Sequence, residues 1–135
     1  MIEFLAIGVG MLVPLAYIVL AAAGVQQAVF ASTQAVREAG RAFVTAASPA
    51  QGHERAAAAA LLAFDDHGLA LPADALRIGC VDAPCLTPGS TVVVQVQWRV
   101  PLPWLPESFA GASPSLVPII AEHRVPVDEY RSVPA

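Results

Sequence analysis

Hydrophobic and polar positions divide this chain into three regimes. From Phe4 to Val25 nearly every residue is apolar, and no charge occurs between Phe4 and Val36. At 1.5 Å per residue, 22 helical residues span roughly 33 Å, which matches a bilayer hydrocarbon core of ~30 Å. Pro14 interrupts the run; a proline is tolerated in a membrane helix and predicts a bend there. Beyond the run, Ala22, Val29, Val36 and Phe43 recur every seven residues, and Val25, Ala28, Ala35, Ala39 and Ala42 widen that stripe. Gln27, Gln34, Glu38 and Arg41 fall on another face at helical spacing. The pattern predicts one helix from about Glu3 to Ala47, hydrophobic all round in its first half and amphipathic in its second.

Ser48-Pro49 ends this element and opens another, since serine caps helices and proline suits the first helical position. The stretch AQGHERAAAAALLAFDDHG predicts a second helix stopped at Gly68, with Ala57, Ala60, Leu61 and Phe64 as its apolar side. Asp65 and Asp66 stand at the end disfavoured by the helix dipole, which predicts fraying. The period then changes to two. In TVVVQVQWRV, Val92, Val94, Val96, Trp98 and Val100 face one way, and Thr91, Val93, Gln95, Gln97 and Arg99 the other. ALRIGC before it and LVPIIAEHRVPV after it predict partner strands, with Pro118 and Pro126 placing the latter at an edge. PLPWLPESFAGASPS between the last two is a proline-rich connection containing Trp104. The predicted class is α+β: a long N-terminal helix, a second helix, and a three-stranded antiparallel sheet packed on the exposed half of the first helix. Residues 1–25 form a membrane half and residues 26–135 an extracytoplasmic domain.

Composition sharpens this reading. The chain is 56% hydrophobic and 13% charged, with a formal net charge of −4. All seven basic residues are arginine and none clusters, so nothing prepares a nucleic-acid surface. Candidate enzymatic chemistry is thin. Asp65, Asp66 and His67 lie together, and His53 and His123 could join them, but the spacing matches no metal-ligand pattern. No G-x-S-x-G turn raises a nucleophile, and the GVG of Gly8 to Gly10 lies inside the apolar run rather than in a phosphate loop. The reading is of a non-enzyme with no metal, cofactor or small-molecule substrate. Cys80 and Cys85, with four residues between them, do not form a C-x-x-C redox pair, and two thiols make a poor zinc site. A bridge pinning the turn between the first two strands fits best, in an oxidising compartment.

Glu3 heads the apolar run. It has a plain role, a carboxylate at the membrane interface beside the positive end of the helix dipole. It also has a sharper one, fixing the register between helices packed side by side. Gly8, Gly10, Ala6 and Ala16 would permit close approach in lipid. A cleavable signal peptide is the rival for this segment, with Ala21-Ala22-Ala23 as its cleavage site. An acidic start and an apolar stripe running through that site both oppose it.

IEFLAIGVGMLVPLAYIVL, VQQAVFASTQAVREAGRAFVTA, CVDAPCLTPGSTVVVQVQWRVPLP and AEHRVPVDEYR together resemble the TadE-like proteins. These are minor pilins, or pseudopilins, of the tight-adherence pilus within the type IV pilus superfamily, and the actinobacterial type looks most similar. The resemblance covers nearly the whole chain. It implies a non-enzymatic, single-pass subunit of a pilus or secretion system, with the N-terminus cytoplasmic and the C-terminal domain outside. Its implied partners are other pilin-like subunits, the inner-membrane assembly machinery and the bilayer. Glu3 matches the family's acidic registration residue, Phe4 its hydrophobic neighbour and Pro14 its helix-bending proline. The family pattern also places a short basic leader ahead of a processed bond, whereas Met1-Ile2 directly precede Glu3 here. A membrane-tethered binding module unrelated to any fibre is the alternative function.

Overall fold

A computed structural model describes residues 1–102 and 116–132 of the chain. Two helices, α1 (Ile2–Val44) and α2 (Pro49–Asp66), precede three strands, β1 (Leu76–Cys80), β2 (Thr91–Pro101) and β3 (Leu116–Pro126). The sheet is antiparallel in the order β1-β2-β3. The α+β class, the element order and the sheet are those the periodicity predicts. Trp104 and most of the proline-rich connection lie outside the described residues.

The 43 residues of α1 run unbroken through Pro14 and measure about 65 Å at helical rise. Only its upper part is covered, with α2 on one side and the sheet on another. Ala28, Ala31, Ser32, Ala35, Val36, Ala39, Gly40 and Phe43 are buried. That set differs from the predicted seven-residue stripe: Ala22 is exposed and Val29 is 44% exposed. A helix clamped from two sides buries two neighbouring lines of residues, which a single seam does not describe.

The helix pair turns at Ser48. The Ser48 hydroxyl accepts from the Gln51 backbone N–H at 3.3 Å, and the Gln51 side chain accepts from the Ala47 N–H at 3.0 Å. One orphan donor in the first turn of α2 and the N–H just ahead of its cap are thereby satisfied. The buried face of α2 is Gly52, Ala56, Ala60, Ala63 and Phe64. The predicted Ala57 and Leu61 are exposed instead. Small side chains at three- and four-residue spacing let α2 lie close against the alanines of α1, and the bulkier Leu61 faces outward. A Cβ on Gly52 would come within 2.9 Å of the Phe43 ring, so the two helices meet there with no space to spare. The end of α2 holds through Asp66 rather than fraying. Gly68, at φ +66°, donates its N–H to the Asp65 carbonyl and Leu69 donates to the Phe64 carbonyl, a Schellman closure.

The sheet supplies the other wall. Val92, Val94, Val96 and Val100 of β2 are buried, as alternation predicts. Trp98 is half-buried rather than fully enclosed. Its indole N–H donates to the Ser32 hydroxyl at 2.9 Å, that hydroxyl donates to the Ala28 carbonyl at 2.8 Å, and the Phe64 ring meets the indole edge-on at 5.2 Å. Helix, helix and sheet are joined at this point. Both prolines of β3 occupy an edge strand, where a missing N–H costs the ladder least.

Candidate functional site

The lower half of α1 stands apart from the rest of the fold. Its most apolar 18-residue window has a mean hydropathy of 2.4 and is 0% buried. Phe4, Leu5, Ile7, Met11, Leu12, Leu15, Ile18 and Leu20 are all exposed, Phe4 at 85%. So many large apolar side chains left uncovered by the chain's own fold demand a different environment, because a soluble surface seldom carries an apolar patch of this extent. The helix is long and apolar enough to cross a membrane and is the one such helix among the described residues. A signal sequence passes the same test of length and composition.

Glu3 lies in the first turn of α1, where a carboxylate complements the helix dipole. Among the described residues it has no ion-pair partner; the one ion pair there is Arg124–Glu122 on β3, exposed at 3.0 Å and worth little. A Cβ built on Gly8, Gly10 or Gly24 meets no atom within 4 Å. Nothing among the described residues therefore requires glycine at these positions, and the open space beside Gly8 and Gly10 admits another helix. The Tyr17 hydroxyl, in the same apolar segment, has no hydrogen-bond partner among the described residues.

The cysteines are bonded. Cys80 and Cys85 form a disulfide with Cα atoms 5.1 Å apart, closing the connection that leads from β1 toward β2. Leu86 follows it into the core, and Thr87 and Gly89 complete the turn before β2.

The residues considered for acid–base or metal chemistry are spread along α2, its C-cap and β3. His53 packs edge-on against Phe43 at 5.1 Å. His67 caps α2: its ring bonds the Gln34 side chain at 3.1 Å and its carbonyl accepts from Gln27. His123 sits on β3 beside an open groove against α1. Asp65 and Asp66 are exposed at the end of α2. Among the described residues no three His, Cys, Asp or Glu side chains gather as a metal site.

Sequence reasoning missed Arg131. Its guanidinium donates to the Val44 carbonyl at 2.6 Å and to the Ala46 carbonyl, so the tail after β3 caps the C-terminal end of α1. The last carbonyls of a helix lack intrahelical donors and carry its negative dipole end, and a planar cationic fork meets both needs. A lone arginine near the end of a sequence gives no signal of this; only the folded path of the tail does.

The fold and its uncovered helix define a class: a small α+β domain built on the upper half of a helix whose lower half has the character of a membrane anchor. Comparisons with protein-family models, curated proteins and solved structures gave no match.

Proposed function

We propose that the chain is a non-enzymatic, membrane-anchored, pilin-like subunit that contributes to assembly of a tight-adherence or type IV-like pilus or secretion apparatus. The observation that carries the proposal is the continuity of α1, a single rod with an uncovered apolar half and an upper half that is the spine of a disulfide-closed domain. Such a helix is compatible with lipid and equally with a bundle of like helices, since both offer an apolar surround. The resemblance of the N-terminal segment, the cysteine loop and the tail to TadE-like proteins supports the same reading. In it the N-terminus is cytoplasmic and the domain lies outside the inner membrane. Other pilin-like subunits and the inner-membrane assembly machinery are the partners.

Glu3 then acts in registration. Once helices pack, a buried carboxylate needs a cation, and the N-terminal amine of a neighbouring subunit is the nearest source. Loss of one member of a buried pair costs ~3–5 kcal/mol, enough to decide axial alignment. Phe4 packs beside it. The test is Glu3→Gln in the producing cell, scored for membrane fractionation and for fibre or secretion-complex formation. The expected result is normal insertion with assembly lost or strongly reduced; undiminished assembly overturns the registration role. Co-purification with no pilus component at all would favour a tethered binding module. A mature N-terminus at Gly24 would mean signal-peptide cleavage and would remove the anchor.

A further inference from the structure

The register between the sheet and α1 fixes where the domain's lower end lies along the anchor. Ile119 of β3 and Val100 of β2 pack with Ala28 of α1. Farther up, Val125 of β3 lies against Gly40, so close that a Cβ there would sit 2.6 Å from it. From Ala28 to Gly40 the helix rises about 18 Å, and from Ile119 to Val125 the strand advances about 20 Å. The near equality means that β3 runs alongside α1, in the same direction and with little inclination. Three residues below Ile119, Leu116 is then about 10 Å lower than Ala28, level with Ala21 or Ala22 and inside the apolar run that ends at Val25. Pro101 is paired with Leu116 and shares that depth. Half-burial of Ala21, Gly24 and Val25 on α1 agrees with cover at this height.

Charge follows the same levels. Below Arg37 on α1, Arg99 on β2 and Glu122 on β3, the described residues of these elements carry no charge down to Glu3. Leu116, Ile120, Val29 and Phe30 are exposed there, Ile120 at 60% and Phe30 at 65%. Arg99 pairs with Pro118 and so stands near the height of Gln26, just above the apolar run. A cation at that height suits lipid phosphate, and Leu116, Val117 and Pro101 beneath it suit the acyl boundary.

We propose that the lower end of the β2–β3 pair, with Leu116, Pro101 and Val117 below and Arg99 above, is a second membrane contact that rests in the outer interface of the bilayer crossed by α1. The occupant of this apolar end is lipid, because the surface is continuous with the anchor and lies at the depth where the anchor itself leaves the hydrocarbon. The contact fixes the tilt of α1 and the side of the domain that faces the bilayer, which one helix alone would leave free.

The proposal rests on α1 crossing a bilayer, and the test separates the two. Full-length Leu116→Cys, Ile120→Cys and Arg124→Cys variants, with the native disulfide left oxidised, are nitroxide-labelled and reconstituted in phosphatidylcholine vesicles. All three positions lie on the outward face of β3, so the fold should accept them, and far-ultraviolet circular dichroism checks this. Collision rates with oxygen, which concentrates in lipid, and with a water-soluble nickel chelate are then measured. The oxygen-to-nickel ratio should fall from position 116 to 120 to 124, several-fold overall. Equal nickel access at all three sites in protein that floats with the vesicles overturns the proposal and leaves anchoring intact. Loss of both oxygen and nickel collisions at 116 also overturns it, because protein rather than lipid would then cover the site. Protein that fails to float overturns the anchoring reading and this contact with it.

Discussion

At the scale of single residues, the fold is joined by a few polar contacts placed where elements meet. Ser32 is fully buried in α1 and receives the Trp98 indole N–H while donating to its own helix. In Ser32→Ala the indole loses its acceptor in a half-dry position. The expected loss is about 1 kcal/mol of unfolding free energy, with a shift in tryptophan emission, both read in a denaturant titration followed by fluorescence. Arg131 makes the comparable contact at the top of α1. Arg131→Lys keeps the charge but cannot span two carbonyls as a planar fork does, so it should cost about 1–2 kcal/mol. Hydrogen exchange of the amides in residues 41–47 should rise in that variant, and unchanged protection would show that the tail does not hold this helix end. Neither contact was legible in the sequence. Alternation placed Trp98 on the inner face and helical spacing left Ser32 unremarked, because pairing of residues 66 positions apart depends on how sheet and helix are set against each other.

At the scale of elements, boundaries were far more legible than faces. Ser48-Pro49 and Gly68 marked the limits of α2 because capping and left-handed closure are local chemistry. Strand β2 followed from its alternation, with β1 and β3 as partner strands on either side of it. The buried side of α2 followed only at Ala60 and Phe64, since along an alanine run the faces hardly differ in composition. The choice of Ala56, Ala60 and Ala63 was made by the approach of α1. The close meeting of α1 and β3 at Gly40 gives a direct test. Gly40→Leu gains helix propensity of at most about 1 kcal/mol but drives a branched side chain into Val125 and Val94. A net destabilisation of about 1–3 kcal/mol is expected in thermal or chemical melts, and a neutral result would mean that β3 can step away from the helix. The Cys80–Cys85 bridge closes a short loop, and the chain-entropy relation assigns it about 2 kcal/mol. The double serine variant should lose that much stability while keeping its circular dichroism spectrum, because β1 and β2 remain paired through Leu76 to Cys80.

At the scale of the whole molecule, the folded core and the candidate membrane span occupy separate stretches of α1. No residue from Met1 to Gln27 is buried, so the lower half adds almost nothing to the domain's own core. A chain beginning at Gly24 should therefore fold with the melting temperature of the full chain in detergent, within a few degrees, and should not sediment with membranes. A collapse of its cooperative transition would show that the anchor is part of the folding unit. The candidate membrane span could be read from the sequence because an uninterrupted apolar run over one bilayer thickness is itself the local signal. The position of the sheet along α1 could not, since it depends on where Val100, Ile119 and Val125 come to rest.

Helix α1 passes from anchor to domain without a turn, a glycine–proline joint or a change of element. Above Pro14, where one backbone hydrogen bond is missing, no proline interrupts it before the domain. Any rotation or tilt imposed on the helix above Pro14 is therefore carried into the sheet, and tension on the sheet is borne there by successive helical hydrogen bonds rather than by slack peptide. A protein assembled this way behaves as a lever whose two arms share one shaft.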